Sequence, residues 1–558
     1  MLKKVFLSSF LTAVFLFEIS YSENCDYRAS NDGTGTECTD LSPCSLQTAL
    51  DLAKNDGKDS VICLEEGVFS ITSLQYGNHT EAAEDKNLTV IGTKNSDGEP
   101  VSVLDLSYSP SPFTVELCRF DGTNCTLTRN NATISLKNLK ISNANSGALS
   151  VWLGSANLYL ENVIFDNNRG NKGSGLFVFS QENSDIKIKN CVFSTDNSSS
   201  DGVVYIKAQN GNIYLESNIF DKGRSLSSYS SCGGICVEGT GAEITLVNNI
   251  VRNNTSGYKC GGGKIKTTTG TVNIINNTLI NNSATYYGGL CVVASDDTAS
   301  INLYNNLFWN NSSTGSGKDL YIDSDNDNNG FGCEVKVFNN SLSCPISLTP
   351  SSCFQITDTD NFSFDEISNI SGDPKITADG HLKDGSPCID AGTRHLPITL
   401  PPTDIDGESR IQGIEIDIGA DESGGSPATT YRLEVVISGK GKVISNPSGI
   451  YCGSDCEEEY LSNIHITLTA SASGSYKFDR WGGNCSDCGS RVLCDVRMNS
   501  DKTCYAYFTS MLSETTPDNE GCCCSFSGKV KLSESGFNIL SLLIIPAFVI
   551  ARRIIKRS

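Results

Sequence analysis

The chain has 558 residues, enough for several domains, with 64 acidic against 42 basic residues and a formal charge of −22. That balance excludes nucleic acid as a partner and disfavours anionic lipid headgroups. Its 24 Cys exceed what a reducing cytosol normally accommodates and point to an oxidising compartment.

Lys3 and Lys4 precede an apolar run from Val5 to Phe17, and Ser20 and Ser22 are small residues suited to a signal peptidase. Residues 1–22 are therefore expected to be a signal peptide cut after Ser22. A free-standing anchor is the alternative, but the run is short for one. Cys25 is not read as lipidated, because SENC lacks the small-residue pattern of a lipoprotein signal. Residues 23–70 hold Cys25, Cys38, Cys44 and Cys63, and CSLQTALDLAK (44–54) places Leu46, Ala49, Leu50 and Ala53 at helical spacing. SVICLEEGVF (60–69) reads as a first strand. This stretch resembles the N-terminal caps of bacterial β-helix proteins, in which a short helix plugs the open end. Such a cap hides core and unpaired edges that a terminal coil would expose.

A short phrase then recurs over residues 71–345. NVIF (162–165), NCVF (190–193), SNIF ending at Phe220, NNIV at Val251, NNTL at Leu279 and NNLF at Phe308 follow at steps of 28, 27, 31, 28 and 29 residues. Short β-rich runs at a fixed period predict an all-β fold, a right-handed parallel β-helix with one repeat per coil. NLTVIG (87–92) and ATISLKNLKIS (132–142) read as early strands, and DIKIKNCVF (185–193) as one strand alternating polar and apolar residues. Glycines open further coils in GSGLFVF (173–179), CGGICV (232–237), CGGGKIK (260–266) and YGGLCVV (287–293). The Asn residues are expected to stack from coil to coil and to bond turn backbone. Cys118 and Cys125 could close a small loop. Cys232 and Cys260 hold the same place in successive coils, about 4.8 Å apart, which predicts a disulfide between them. Cys236 and Cys291 match two coils apart, about 9.6 Å, and are read as buried free thiols.

Candidate chemistry within the coils is sparse. Asp166 and Asp221 both follow a repeat Phe, with Arg169 and Lys222 nearby. Two coils separate them by about 9.6 Å, close to the spacing of inverting glycosidase carboxyls. The equivalent slots hold Ser194, Arg252, Ile280 and Trp309, which favours a permissive turn position. The four His (His79, His381, His395, His465) lie outside the regular coils and suggest no His-based site. DNDNNG (325–330) fits the first half of a Ca2+ loop, with Asp325, Asp327 and Asn329 as ligands. Lys336 stands where the terminal Glu belongs, so an ordinary acidic turn is the preferred reading and Ca2+ the alternative; no other cofactor is indicated.

Residues 346–425 carry GDPKI (372–376), SPCIDAGT (386–393), DIDGESR (404–410) and EIDIGADE (415–422). The last three blocks, in this order and spacing, resemble the C-terminal signature of choice-of-anchor Q proteins, bacterial surface proteins with a right-handed parallel β-helix, and the preceding GDPKI fits it too. Asp390, Asp404, Asp406, Asp417, Asp421 and Glu422 could bind a cation; a structural role as turn and cap residues is preferred. GGSPATT (424–430) is a linker by composition. Residues 431–509, with Phe478, Trp481 and a final CYAYF strand, resemble the divergent internalin-type B-repeat. That resemblance implies pairs Cys452–Cys456 and Cys485–Cys494; Cys488 and Cys504 depart from the common pattern and could form an added bridge. A redox or zinc role for Cys485 and Cys488 is the weaker reading.

Residues 510–535 form a linker with the cluster Cys522, Cys523 and Cys524, then come an apolar stretch (536–551) and a basic tail (552–558) that should stay cytoplasmic. The layout resembles tripartite bacterial sorting signals. It implies export, membrane attachment through the C-terminal segment, and a processing protease acting at the Cys cluster; a permanent single-pass anchor is the alternative. Two functions follow as expectations. One is a cell-surface or outer-membrane protein that adheres to a polysaccharide or another cell surface without catalysis. The other is a pectate-lyase-like polysaccharide lyase or a glycoside hydrolase. β-Helices host both kinds.

Overall fold

Asparagine decides where this chain turns. The computed structural model describes residues 24–511 except 78–85, 121–124, 127–129, 226, 230–231, 316, 325–331, 347–352, 358–361, 365–367, 424–429, 454 and 462–463. The signal peptide, Asp325, Asp327, Asn329, Cys522, Cys523, Cys524 and the apolar stretch 536–551 lie outside the described residues. Among those described, no helix is long and apolar enough to cross a membrane.

Left-handed backbone conformations recur in pairs: Asn162 and Asn167, Asn248 and Asn253, Asn276 and Asn281, Asn305 and Asn310. Asn tolerates a positive φ better than other residues with a side chain. The last three pairs each bracket a three-residue strand, Ile250–Arg252, Thr278–Ile280 and Leu307–Trp309, and Asn162 and Asn167 bracket the end of the strand Ser155–Asp166. The middle residue of each such strand points inward. Phe165, Phe193, Phe220, Val251, Leu279 and Phe308 therefore lie in parallel register, one above another, and all are buried. Phe193 stacks on Phe165 at 4.6 Å and on Phe220 at 5.1 Å between ring centroids. The recurring phrase is thus one corner, one short strand and the next corner. The strand expected over 185–193 is broken by this device: it ends at Lys189, turns at Asn190 (φ 52) and resumes at Val192–Ser194.

The residue after each corner turns inward, and there Asn does a second job. Asn218, Asn249, Asn277, Asn306, Asn340 and Asn369 form a buried ladder. Each backbone amide donates to the Oδ1 of the next Asn at 2.9–3.0 Å, and each Nδ2 reaches a carbonyl of the coil before. A second ladder runs through Asn254, Asn282 and Asn311 to Asp319. The ladders satisfy turn amides that the strand pairing leaves buried and unbonded. Parallel rungs run from Tyr27–Ala29 on Ser60–Leu64 to Ser341–Leu342 on Ile370–Ser371. A separate six-stranded ribbon of two-residue strands follows the second corner.

At the N-terminal end, α1 (Leu46–Asn55) buries Leu46, Ala49, Leu50 and Ala53 against the core. Ser45 caps it by accepting from the Thr48 amide at 3.2 Å, and Lys86 donates to the Ala53 and Lys54 carbonyls at its other end. Disulfides Cys25–Cys63 and Cys38–Cys44 tie this cap.

The pairing within the coils differs from expectation. Cys232 bonds Cys236, and Cys260 bonds Cys291, so no Cys232–Cys260 bridge forms and neither Cys236 nor Cys291 is a free thiol. Stacking does bring the two turns together, with the Gly233 amide on the Cys260 carbonyl at 2.9 Å. Side-chain direction decides the outcome. Ile235, Val237, Leu290 and Val292 fill the core, so Cys236 and Cys291, at alternate positions, face outward, where the turn cysteines fold back over them. Cys118 is also disulfide-bonded.

Residues 430–510 form two four-stranded sheets around Trp481, Leu433, Val443 and Ile466. Cys452–Cys456 is present. Cys485 pairs with Cys504 and Cys488 with Cys494, replacing the expected Cys485–Cys494 and Cys488–Cys504 pairs. The closing strand Lys502–Ser510 lies on Tyr476–Gly483 with Cys504 opposite Gly483, which carries Cys504 beneath the Cys485 turn.

Candidate functional site

Strands Ser155–Asp166, Leu176–Lys189, Val204–Glu216 and Glu243–Val247 run parallel in register. Leu158, Ile186, Ile213 and Ile244 enter the core, so the residues on either side of each face outward. Tyr159, Lys187, Tyr214 and Thr245 make one outward column, and Asp185, Asn212 and Glu243 the next. Together with Ile398 they line a groove of about 400 Å³.

The groove's polar groups are ordered but remain available to a ligand on one side. Asn212 donates to Asp185 at 2.7 Å, and the Asp185 amide donates to Asn157 at 2.9 Å. Lys187 lies 3.8 Å from Glu216 and 5.1 Å from the Tyr214 ring centroid. Burial, then the neighbouring Glu216 charge, push the Tyr214 phenol up to about 12, so it stays a neutral hydroxyl at any physiological pH. Tyr159 is 37% exposed. Two aromatic rings, amides and hydroxyls on an open acidic face can stack on and hydrogen-bond a hydroxyl-rich ligand. Glu216 lies between Lys187 and Lys189, at 3.8 and 2.7 Å, and the groove lining sets Asp185 and Glu243 against the single Lys187, so its own charge is net negative and disfavours a polyanion.

Asp166 and Asp221 lie beyond the Asn162 and Ser217 corners, away from this groove. Register places them two coils apart in one column with Ser194 between, as the repeat implied. Both are occupied. Asp166 accepts from Lys140 Nζ and Thr195 Oγ1, each at 2.9 Å. Burial opposes its charge, but those bonds prevail and hold the carboxyl below the usual range. Asp221 accepts from Asn253 at 2.8 Å and pairs with Arg252 at 3.3 Å. A general acid needs a raised carboxyl, and Asp166 is shifted the opposite way.

Residues 372–423 carry turns and isolated bridges rather than strands, and pack along the flank of the coils. Ile280 and Leu307 on the coils meet Cys388 and Ile418 in a small apolar cluster. The left-handed corner asparagines serve here too: Asn276 donates to the Asp417 and Gly419 carbonyls, and Asn305 to Thr393. Most of the acidic residues cap backbone. Asp404 accepts from the amides of Asp406, Glu408 and Glu422; Asp390 from Ile414 and Glu415; Asp417 from Asp390 and Ser423. Glu422 pairs with buried Arg410 at 2.8 Å. Asp406 and Asp421 instead approach His381, a meeting that sequence distance concealed.

Sequence reasoning missed the groove because it weighed the repeat for carboxylate pairs. The outward alternation of 185–189 carried the signal. It also missed Asp196, which is fully buried where other coils place Asn254 and Asn282. Asp196 Oδ1 accepts from the Asn168 amide at 2.7 Å, while Oδ2 has no hydrogen-bond partner. Burial pushes this carboxyl up to about 8.

Residues 106–251 match the family described as a right-handed β-helix region. Among solved structures, the crystal structure of pectate lyase Pel9A is similar at 13% identity, covering 71% of this chain and 96% of that chain with a TM-score of 0.33. The crystal structure of Escherichia coli ybhC is similar at 10% identity, covering 62% and 86% with a TM-score of 0.18. No curated protein sequence matches this chain.

Proposed function

We propose that this is an exported, surface-held β-helix protein that recognises a neutral polysaccharide without cleaving it. The observation that carries this reading is the outward Tyr159–Lys187–Tyr214 column beside Asp185 and Glu243. Its rings suit sugar faces, and its acidic border suits an uncharged chain better than a polyuronate. Export rests on the signal-peptide pattern and the 24 Cys. Attachment rests on the apolar stretch 536–551 with its basic tail, and processing by a sorting protease on the Cys522–Cys524 cluster before it. Residues 372–422 read as the choice-of-anchor Q signature and 431–509 as the internalin-type repeat, both fitting a surface protein.

The second reading is a polysaccharide lyase or hydrolase, since a β-helix can host catalysis as well as binding. The engaged state of Asp166 and Asp221 weighs against it. The test is to expose the full chain to neutral and acidic polysaccharides, with and without Ca2+, reading binding, reducing ends and unsaturated-product absorbance. Saturable binding to a neutral glycan without product is expected. Product formation, or binding confined to polyuronates, overturns the proposal.

A further inference from the structure

We propose that His381, Asp406 and Asp421 form a site for a divalent transition-metal ion of the Zn2+ or Mn2+ type, which staples the C-terminal segment together on the flank of the solenoid. One ligand atom from each residue lies within 4.8 Å of the other two; bonds of about 2.0–2.2 Å hold two ligand atoms at most about 4.4 Å apart, so a side-chain adjustment of a few tenths of an ångström or more closes the set around one ion. His381 Nε2 stands 3.0 Å from Asp406 Oδ2.

A second observation points the same way. The other ring nitrogen, Nδ1, stands 3.3 Å from Asp379 Oδ1. A carboxylate behind a histidine is the arrangement that fixes the tautomer and turns the free nitrogen toward a metal. The donor set then selects the ion. One imidazole with two carboxylates suits Zn2+ or Mn2+, whereas Ca2+ prefers oxygen alone. Charge agrees: Asp379, Asp406 and Asp421 surround one imidazole, and a dication offsets that excess.

Location gives the ion a purpose. The three ligands come from three turns that share no strand pairing. His381 sits in a tight turn closed by the Thr377 amide on the His381 carbonyl at 2.8 Å. Asp406 sits in the turn capped by Asp404, and Asp421 follows the stretch bonded to Cys388 and Asn305. The Leu382 amide already donates to Asp421 Oδ2 at 2.7 Å, so one oxygen of that carboxylate is oriented. The His381 turn is itself seated on the coils. Gly380 (φ +106) leaves a virtual Cβ only 3.2 Å from Thr278, and Arg252 donates to the Asp379 carbonyl at 2.8 Å. A metal here would join three irregular turns in the way small, strand-poor folds are stapled.

The test uses the full chain, stripped with chelator and titrated with Zn2+, Mn2+, Co2+ or Ca2+ alone. Expected are one Zn2+ per chain, a higher unfolding temperature with metal, and a Co2+ spectrum of weak d–d bands without a thiolate charge-transfer band. Asp406→Asn, at a side chain 49% exposed, should weaken binding at least tenfold with the fold intact by circular dichroism. His381→Ala should do the same, and Asp379→Asn should lower affinity about 10–100-fold as an orienting residue. Absence of uptake, thiolate bands that persist in the His381→Ala chain, Ca2+ binding as tight as Zn2+, or unchanged affinity in both ligand variants overturns the proposal.

Discussion

Replacing Asn277 by Ala tests whether the buried ladder holds the solenoid together. The Asn277 Nδ2 donates to the carbonyls of Leu246 (2.9 Å) and Ile275 (3.1 Å) and to Asn306 Oδ1 (3.0 Å). Its Oδ1 accepts from the backbone and side-chain amides of Asn249 at 3.0 and 2.9 Å. The two Nδ2 hydrogens serve three acceptors, one of them shared, so about four full bonds vanish, and the Asn249 amide becomes a buried donor with no acceptor. At about 1 kcal/mol net per bond, with about 1–3 kcal/mol for the stranded amide, the substitution should cost about 5–7 kcal/mol. The control is Asn281→Gly, which keeps the left-handed corner (φ 55) and loses only the exposed bond from Asn310, worth about 0.5 kcal/mol. Urea unfolding of both variants should show a large midpoint shift for the first and little for the second. Because each coil contacts only its neighbours, hydrogen exchange should accelerate chiefly in 244–251, 272–280 and 301–308. Equal shifts in the two variants would refute the argument that the inner asparagine, rather than the corner conformation, carries the stability.

Three other outcomes follow from the same geometry. Asp196 has a folded value of about 8, above the ordinary 3.8. Its contribution is therefore complete below about pH 4 and is lost as pH rises toward 8, at up to about 1.4 kcal/mol per pH unit. Asp196→Asn should remove that slope and be the more stable chain at pH 8, and matching pH profiles of urea midpoints would contradict it. Tyr214→Ala should weaken binding of the glycan found by the screen about tenfold, roughly 1.4 kcal/mol, with the unfolding temperature preserved; a calorimetric titration decides, and an equal loss in Tyr258→Ala, outside the groove, would sink the assignment. Peptide mapping under non-reducing conditions should recover Cys232–Cys236 and Cys260–Cys291. In the chain-entropy account, Cys260→Ser opens a 31-residue separation and should cost about 4 kcal/mol, against about 2 for Cys232→Ser with its separation of 4, measured by thermal unfolding.

Much of the fold was legible because a β-helix repeats its local code. Asn at positive φ, a short strand and an inward Phe or Leu recur in phase, and coil-to-coil register follows directly from the step between them. The helix at 46–55 was equally readable from Leu46, Ala49, Leu50 and Ala53. The candidate site was less so. Asp166 and Asp221 do share a column, but whether a carboxylate is free or engaged depends on Lys140, Thr195 and Arg252 from other coils or strands.

By itself, then, the sequence determined the period, the corners, the inward column and the outward alternation, since each is a property of a few adjacent residues. The tertiary structure alone decided which outward cysteine meets which turn cysteine and that Asp196 is buried without a second partner. It also decided that His381, Asp406 and Asp421 converge. The physical reason is range: φ preference and alternation act within one coil, whereas side-chain direction, burial and charge proximity depend on which distant segments the solenoid stacks or folds back against its flank.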